Sequence, residues 1–371
     1  MITENLIAQI DKGLEGKNWG LSMGMPKLEQ YVDGVSQSTY TLLFSGSGVG
    51  KTSFALYAYI YRPIMDNLDN LENLKIIYIS LEMKPEVLMA KLLSTYIFET
   101  YGKEISYKEM LSKTRNKLLS EEDYELIKKS VPWMRTVESV LTIYDKSLNA
   151  KTFYDLLKEE ADREGTFQNE GKRAIYTPKN QDRVTLVVID HLALSQPQTG
   201  HTLKNEMDAI SKVAVQFRNR CAFSFLMIMQ ANREAANVER RKLELVEPQR
   251  NDVKDSANME ADSDVMLAVF NPFREKLNSY RGYNIKLLQA NFRSIILLKN
   301  RYGDGDVVIG CNFFGKCNLW KELPKGEDII DYELFTDVNH YRKEPKIQEE
   351  KRDVKKEQKD IVSKQTFDII L

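Results

Sequence analysis

The chain has 371 residues, of which 42% are hydrophobic, so it can form one large or two ordinary domains and is not a disordered protein. Its formal net charge of −1 excludes binding to nucleic acid or acidic membranes through bulk charge, and leaves only local patches for a polyanion. The cysteines (Cys221, Cys311 and Cys317) are odd in number and lack a C-x-x-C spacing, which argues against a disulfide framework or a structural metal site.

Membrane insertion and export are disfavoured as well. No window approaches the roughly 18 unbroken apolar residues of a membrane span, and the N-terminus lacks a basic region followed by an apolar one. We therefore expect a cytoplasmic protein with no membrane partner.

The predicted elements begin with a short amphipathic helix over residues 2–14, where apolar residues recur at helical spacing, followed by a brief helix at Pro26–Val32. Short apolar runs predict strands at Tyr40–Phe44, Lys75–Ser80, Leu141–Asp145, Val184–Ile189, Ser224–Gln230, Val265–Phe270, Arg293–Arg301 and Asp306–Phe314. Helices are predicted at Phe54–Tyr61, Pro85–Thr95, residues 104–130, Lys151–Arg163 and Lys204–Arg220. This alternation is typical of an α/β fold with a mostly parallel sheet.

Three other stretches have a distinct composition. The last two predicted strands are expected to form a hairpin around Tyr302–Gly305. Residues 164–182 carry Gly, Asn, Lys and Pro without periodicity, which predicts an exposed surface loop. From about Tyr341 roughly half of the residues are charged with mixed sign, which predicts a solvated or disordered tail.

A phosphate-binding loop is predicted where the first strand breaks into SGSGVGKTS. Backbone N–H groups at the glycines wrap phosphates, Lys51 reaches the β and γ oxygens, and the Thr52 hydroxyl can ligate Mg²⁺ at the start of a helix. One departure is that Ser45 replaces the usual first glycine. The alternative is a Gly/Ser-rich surface turn beside a chance lysine. The predicted nucleotide-binding residues are Ser45, Gly46, Ser47, Gly48, Val49, Gly50, Lys51, Thr52 and Ser53.

Three polar residues end other predicted buried strands, at the sheet edge where ligands of parallel sheets bind. Asp190 can hold the Mg²⁺ shell opposite Thr52, or can simply cap the following turn. Glu82 can orient the attacking water. Gln230 can sense the phosphate or the water by hydrogen bonding, although a strand-end polar group without a function explains it almost as well.

Several short motifs occur in an order that resembles one family. They are GLSMGMPKLEQYVDG, YISLEMKPEVLMAKLL, KLLSEEDYELIKKS, VVIDHLALS, IMQANRE, DVKDSANMEADSDVML and ILLKNRYGDGD. Over about Gly20 to Trp320 they look like the motifs of the ATPase domain of DnaB-type replicative helicases of bacteria and phages. The resemblance implies a RecA-like P-loop NTPase core, with a short N-terminal linker helix (1–19), a RecA-like ATPase/helicase domain (20–325) and a charged C-terminal extension (326–371).

The same resemblance assigns roles at the ATP site. Lys51 and Thr52 become the phosphate and Mg²⁺ contacts, Asp190 becomes the second metal carboxylate, Glu82 the catalytic glutamate, and Gln230 the residue that couples nucleotide to DNA. The implied cofactors are ATP and Mg²⁺.

Lys299 and Arg301 match the lysine and arginine finger that this family inserts into the ATP site of the neighbouring subunit. A positive charge supplied in trans would make hydrolysis depend on the subunit interface. Without the resemblance, a basic pair that blunts a strand edge is the simpler interpretation.

DNA contacts would come from loops that line the channel of a ring. The candidate loops are Gln196–Asn205 and Ala231–Lys254, and the candidate residues are Lys204, Arg233, Arg240, Arg241, Lys242, Arg250 and Lys254. A run such as ERRK is more often a solvated face.

The function predicted from the sequence is a ring-forming, hexameric, ATP-dependent DNA helicase that translocates on single-stranded DNA, with 5′ to 3′ movement implied by the family. One alternative is a RecA-like DNA-binding ATPase without unwinding activity, such as a recombinase-like filament or a helicase-loading partner. A second is an oligomeric regulatory ATPase that does not touch DNA. We expect the chain to lack the family's N-terminal collar domain, which binds primase, so a primase or a loader protein stays an open partner. The resemblance implies that the first helix can serve as the linker helix that docks on the adjacent subunit.

Overall fold

The computed structural model describes residues 2–16, 18–113, 115, 118–170, 173–231, 240, 246–253 and 257–342. Its main feature is a nine-stranded sheet in the order β13-β12-β11-β8-β1-β7-β6-β2-β3. In the described residues the strands are β1 (Tyr40–Ser45), β2 (Leu74–Ser80), β3 (Leu141–Tyr144), β4 (Gly165–Glu170), β5 (Arg173–Pro178), β6 (Val184–Asp190), β7 (Ser224–Gln230), β8 (Val265–Phe270), β9 (Ser279–Tyr280), β10 (Tyr283–Asn284), β11 (Phe292–Asn300), β12 (Val307–Phe314) and β13 (Leu319–Glu322). The strands outside the nine-stranded sheet form two separate pairs, β4 with β5 and β9 with β10.

Strand direction changes within this sheet at β11. The six strands from β8 to β3 are parallel to one another, whereas β11, β12 and β13 extend the sheet in antiparallel fashion. The central strands β1 and β6 are buried along their whole length, as expected of parallel strands covered on both faces. Leu43 of β1 packs into the core on one face, and its neighbours Leu42 and Phe44 pack into the core on the other. The mostly parallel α/β fold predicted from the sequence is therefore confirmed.

Helices flank the sheet. They are α1 (Ile2–Leu14), α2 (Lys51–Phe54), α3 (Arg62–Met65), α4 (Pro85–Tyr101), α5 (Tyr107–Met110), α6 (Glu121–Lys129), α7 (Val131–Val140), α8 (Ala150–Glu164), α9 (Leu203–Cys221), α10 (Ala257–Asp262), α11 (Ile285–Leu288) and α12 (Tyr332–Thr336). A π-helical segment, Ala55–Tyr61, joins α2 to α3. Within the described part of the chain, no helix is long and apolar enough to span a membrane.

Local sequence explains where the longer helices start and stop. The side chain of Asn149 accepts a hydrogen bond from the Thr152 N–H at 2.8 Å and caps α8, and Thr202 caps α9 in the same way. Pro85 occupies the first turn of α4, and Gly102 ends that helix in the left-handed region with φ 67°. These local signals fix where α4, α8 and α9 begin or end.

Three sequence predictions about elements are wrong. Residues 164–182 do not form a structureless loop, because β4 and β5 pair there as an antiparallel hairpin in which Phe167 packs against Tyr176. Pro26–Val32 forms turns rather than a helix, and the backbone N–H groups of Lys27 and Leu28 donate to the Glu322 carboxylate. Residues 104–130 hold two separate helices, α5 and α6, each started by its own serine cap.

Candidate active site

The loop between β1 and α2 has the shape of a phosphate cradle. Gly48 and Gly50 have φ angles of 69° and 127°, a region that other residues avoid, and a Cβ on Gly50 would lie 3.2 Å from the Trp320 ring. Ser45, which replaces the first glycine of the motif, is the buried last residue of β1, and its φ is not positive. The Ser45 hydroxyl donates to the Gly46 carbonyl at 2.9 Å. The substitution therefore costs the loop no backbone strain.

Lys51 lies folded over this loop. Its Nζ donates to the carbonyl oxygens of Ser45 and Gly46 at 3.2 and 3.1 Å. Burial lowers the pKa of the Lys51 ammonium, and the nearby carboxylates of Asp190 and Glu82 oppose that shift. The ammonium therefore lies where phosphate oxygens can replace carbonyl oxygens as its partners.

Asp190 ends β6 with its carboxylate buried beside the loop. Its Oδ2 accepts a hydrogen bond from the Tyr78 hydroxyl at 2.7 Å, whereas its Oδ1 has no hydrogen-bond partner among the described residues. Burial raises the pKa of Asp190, and the hydroxyls of Tyr78 and Thr52 act in the opposite direction. A buried carboxylate oxygen without a partner, beside the Thr52 hydroxyl, fits a hydrated Mg²⁺ ion.

Glu82 lies just beyond β2, at the same edge of the sheet. The register pairs Ser80 with Asp190, and the Leu81 N–H donates to the Asp190 carbonyl at 2.8 Å. The Glu82 side chain is 57% exposed, and its Oε2 is 3.8 Å from Nε2 of His191. Burial lowers the pKa of His191, which favours the neutral imidazole. An exposed carboxylate at this position is free to hydrogen-bond water.

Gln230 ends β7, the strand that lies between β1 and β6. The β1–β7 register places it directly beside Ser45, and the Ala231 N–H donates to the Ser45 carbonyl at 2.9 Å. The structure thus brings Lys51, Asp190 and Gln230 to the carboxyl ends of neighbouring parallel strands, as the sequence predicted.

The sequence did not predict two arginines that contact the phosphate-binding loop. Arg293 is buried at the start of β11, and its Nε donates to the Val49 carbonyl at 2.8 Å. Arg274 follows β8 and donates from a terminal nitrogen to the Ser47 carbonyl. Burial and the neighbouring Arg274 lower the pKa of Arg293 to about 10. One available signal was an arginine inside an otherwise apolar strand, which is unusual unless the charge has a partner.

Lys299 and Arg301 lie away from the phosphate-binding loop, beside the end of α10. The Lys299 ammonium donates to the carbonyls of Glu260 and Ala261, at the end of α10. One terminal nitrogen of Arg301 donates to Asp264 Oδ1 at 2.6 Å, and the other donates to the Ala261 carbonyl at 3.2 Å. In this chain both side chains are therefore held by the end of α10, and Arg301 is also held by the residue that precedes β8.

The strand register places this basic pair at the edge of the sheet opposite the phosphate-binding loop. Asn300, the last residue of β11, pairs with Val265, the first residue of β8. The Asp264 N–H donates to the carbonyl of Tyr40, where β1 begins. Since β1 has 6 residues and each step between them rises about 3.3 Å, its two ends are about 17 Å apart. Arg301 therefore cannot reach the phosphate site of its own subunit.

The candidate DNA contacts are described only in part. Four of them lie outside the described residues, namely Arg233, Arg241, Lys242 and Lys254. Lys204 is exposed in the first turn of α9. Arg240 donates to Asp252 Oδ1 at 2.5 Å, and Arg250 is 3.6 Å from Asp306 of the hairpin loop. Of the described candidates, Arg240 is bound to a carboxylate, whereas Lys204 and Arg250 are both exposed.

Comparisons with known proteins agree on the fold. A model of the family described as the DnaB-like helicase C terminal domain matches residues 20–321. A solved structure described as an ATPase domain is similar with a TM-score of 0.67 and 16% identity over 87% of this chain and 99% of that one. A DnaB-like replicative helicase, whose structure was described together with its interactions with primase, is similar with a TM-score of 0.64 and 17% identity over 87% of this chain and 67% of that one. No curated protein matches the sequence.

Proposed function

We propose that this chain, which belongs to the DnaB-like helicase C-terminal domain family and is an ATP-driven replicative DNA helicase, works as a hexameric ring that moves 5′ to 3′ along single-stranded DNA. The observation that carries this proposal is the separation of Arg301 from the phosphate-binding loop by the whole length of β1. A basic pair so placed can serve an ATP site only on another subunit. Hydrolysis then requires an assembled interface, as a ring provides.

ATP binds at the loop that follows β1. The loop N–H groups and Lys51 hold the phosphates, and Thr52 with Asp190 would hold Mg²⁺, which neutralises developing phosphate charge when bound. Glu82 orients a water against the γ-phosphate, with His191 as its neighbour at 3.8 Å. Gln230 lies beside Ser45 at the end of β7, and it links the phosphate site to residues 231–254, which follow it in the chain and hold most of the candidate DNA contacts.

Lys299 and Arg301 of one subunit approach the γ-phosphate on the next subunit. Arg301 is 40% exposed, so its guanidinium is accessible from outside the subunit. A fixed cation at this position stabilises the charge of the transferring phosphoryl group. The two halves of each active centre therefore come from two copies of the chain.

Ring assembly is supported by apolar surfaces on separate parts of the chain. On α1, Leu6, Ile7, Ile10 and Leu14 are 56%, 52%, 48% and 83% exposed. A mostly apolar groove of about 510 Å³ lies among α4, α5, α6 and α7, with Met89, Leu93, Met110, Ile127 and Met134 among its lining residues. An amphipathic helix suits such a groove, so α1 of one subunit docks in the groove of the next.

The proposal is tested by the rate of ATP hydrolysis with and without single-stranded DNA, and by unwinding of duplexes with a 5′ or a 3′ single-stranded arm. We expect stimulation by DNA, unwinding only from the 5′ arm, and a hexamer mass in Mg-ATP. Stimulation without strand separation would instead identify a RecA-like DNA-binding ATPase, and no stimulation would exclude DNA as the partner. Binding of a primase or a loader protein and a cytoplasmic location remain part of the proposal.

A further inference from the structure

Asp264 is a buried carboxylate that accepts several hydrogen bonds at the edge of the sheet where Arg301 lies. It is 0% exposed, and its two oxygens have different partners. Oδ1 accepts from Arg301 at 2.6 Å, whereas Oδ2 accepts from Arg218 at 2.8 Å and from the Tyr40 N–H at 2.9 Å. The Asp264 carbonyl also accepts from the Arg301 N–H at 2.8 Å. The carbonyl of Asp264 thus holds the backbone of Arg301, and its carboxylate holds the Arg301 guanidinium.

The charges in this cluster do not cancel. Asp264 contributes one negative charge, and it is paired with two arginines, Arg218 and Arg301. Arg218 is 8% exposed and supplies the counter-charge inside the protein, whereas Arg301 is 40% exposed at the surface. Arg301 is therefore the more exposed partner of the two arginines that share the single Asp264 carboxylate.

A third contact fixes the plane of the Arg301 guanidinium. One nitrogen is bound by Asp264 and the other by the Ala261 carbonyl at 3.2 Å, near the end of α10. A guanidinium with its Nε has five N–H donors, and these two bonds leave the others available. An arginine held at both terminal nitrogens loses little further rotamer freedom when it binds a phosphate oxygen.

We propose that Asp264 is the positioning residue for the trans-acting arginine: it holds Arg301 in the orientation that reaches the neighbouring ATP site, while Arg218 serves as a second, buried counter-ion of the same carboxylate. The inference rests on the trans role of Arg301 proposed above. It also gives a functional role to the Asp264 carboxylate, which lies outside the ATP site. Because Asp264 also binds the first residue of β1, the arginine is anchored to the strand that ends in its own subunit's phosphate-binding loop.

The test is a double-mutant comparison of single-turnover ATP hydrolysis in Asp264→Asn, Arg301→Ala and the double variant. We expect Asp264→Asn to lower the hydrolysis rate about 100-fold, as misplacement of a reacting group by about 1 Å does. ATP affinity should stay within about twofold, because the phosphate site lies at the other end of β1. In the Arg301→Ala background, Asp264→Asn should change the rate by less than about twofold, since the group it positions is gone.

The matched control is Asp262→Asn. Asp262 lies two residues away and accepts from the Ser211 hydroxyl at 2.7 Å, and none of its described side-chain contacts is with Arg301. Its substitution should leave the hydrolysis rate unchanged. If Asp264→Asn does not form rings with a normal thermal transition, Asp264→Glu is measured in its place; if neither folds, Asp264 is a structural residue and the inference falls.

The outcomes separate this inference from the proposal on which it rests. If Arg301→Ala hydrolyses ATP at the wild-type rate, the trans role of Arg301 fails. If Arg301→Ala is slow but Asp264→Asn is normal, or if the two losses multiply in the double variant, the trans role stands and only the inference about Asp264 is overturned.

Discussion

Arg301→Ala should abolish turnover and leave ATP binding to the altered subunit almost unchanged. In its own subunit the arginine is separated from the phosphate loop by the length of β1, which is about 17 Å for 6 residues at a rise of about 3.3 Å per step. Two unit charges at that distance interact by about 0.2 kcal/mol in water, and salt screens this further. The affinity of the subunit for ATP should therefore change by less than about twofold.

The effect on the neighbouring site is far larger. A trans-acting arginine contributes about 10³ to 10⁵ in rate, or about 4 to 7 kcal/mol of transition-state stabilisation. The assay pairs equilibrium binding of a fluorescent ATP analogue with the steady-state rate of phosphate release. The reasoning is refuted if Arg301→Ala loses analogue affinity tenfold or more while its rate per bound nucleotide stays normal.

Mixed rings give the same prediction an internal control. Lys51→Ala removes the phosphate contact of its own subunit but keeps Arg301, and Arg301→Ala does the reverse. In an equal mixture about a quarter of the interfaces combine an intact loop with an intact arginine, which restores a trans-acting site. Recovery above the average of the two separate variants is expected, and its absence would remove the trans assignment.

Three other predictions concern the loop and the assembly. Gly50→Ala should abolish nucleotide binding, because the φ angle of Gly50 is 127° and the new Cβ would lie 3.2 Å from the Trp320 ring. Binding is measured by the fluorescence of an ATP analogue. Gly46→Ala is the control that should still bind, since Gly46 has no positive φ and the nearest atom to its new Cβ would be 3.6 Å away. Arg274→Ala should weaken binding of an ATP analogue about tenfold, because it removes a cation from the loop apex. Arg135→Ala, which removes an exposed arginine of α7, is the control that should leave the titration unchanged. Ile10→Ser should shift the assembly from hexamer to smaller species in native mass measurements, since it places a hydroxyl on the apolar face of α1.

The sequence allowed the phosphate loop and the strand-end residues to be predicted because their chemistry is local. Lys51 and Thr52 are contiguous with the glycines, and Asp190 directly ends an apolar run, so one short stretch contains both the element and its functional group. Parallel strands then place such ends at one edge by a general rule. The α/β fold follows from the same alternation of strands and helices.

What could not be predicted depends on pairing between distant residues. Arg293 contacts Val49 across 244 positions, and Arg274 contacts Ser47 across 227. No local pattern encodes these contacts, because they follow from the antiparallel return of β11 beside β8 and from the parallel pairing of β8 with β1. The hairpin of β4 and β5 was missed for a related reason, since its strands are too polar to show a core-facing alternation.

The direction of β11 decides the architecture of the active centre. A parallel strand at that position would have carried Arg301 to the edge of the sheet that holds the phosphate loop, and the chain could then have completed its own site. The antiparallel direction instead places Arg293, at the start of the strand, beside the loop and Arg301, just past its end, at the far edge. One strand thus carries one arginine that supports the loop of its own subunit and one that, on the proposed mechanism, acts on the next subunit.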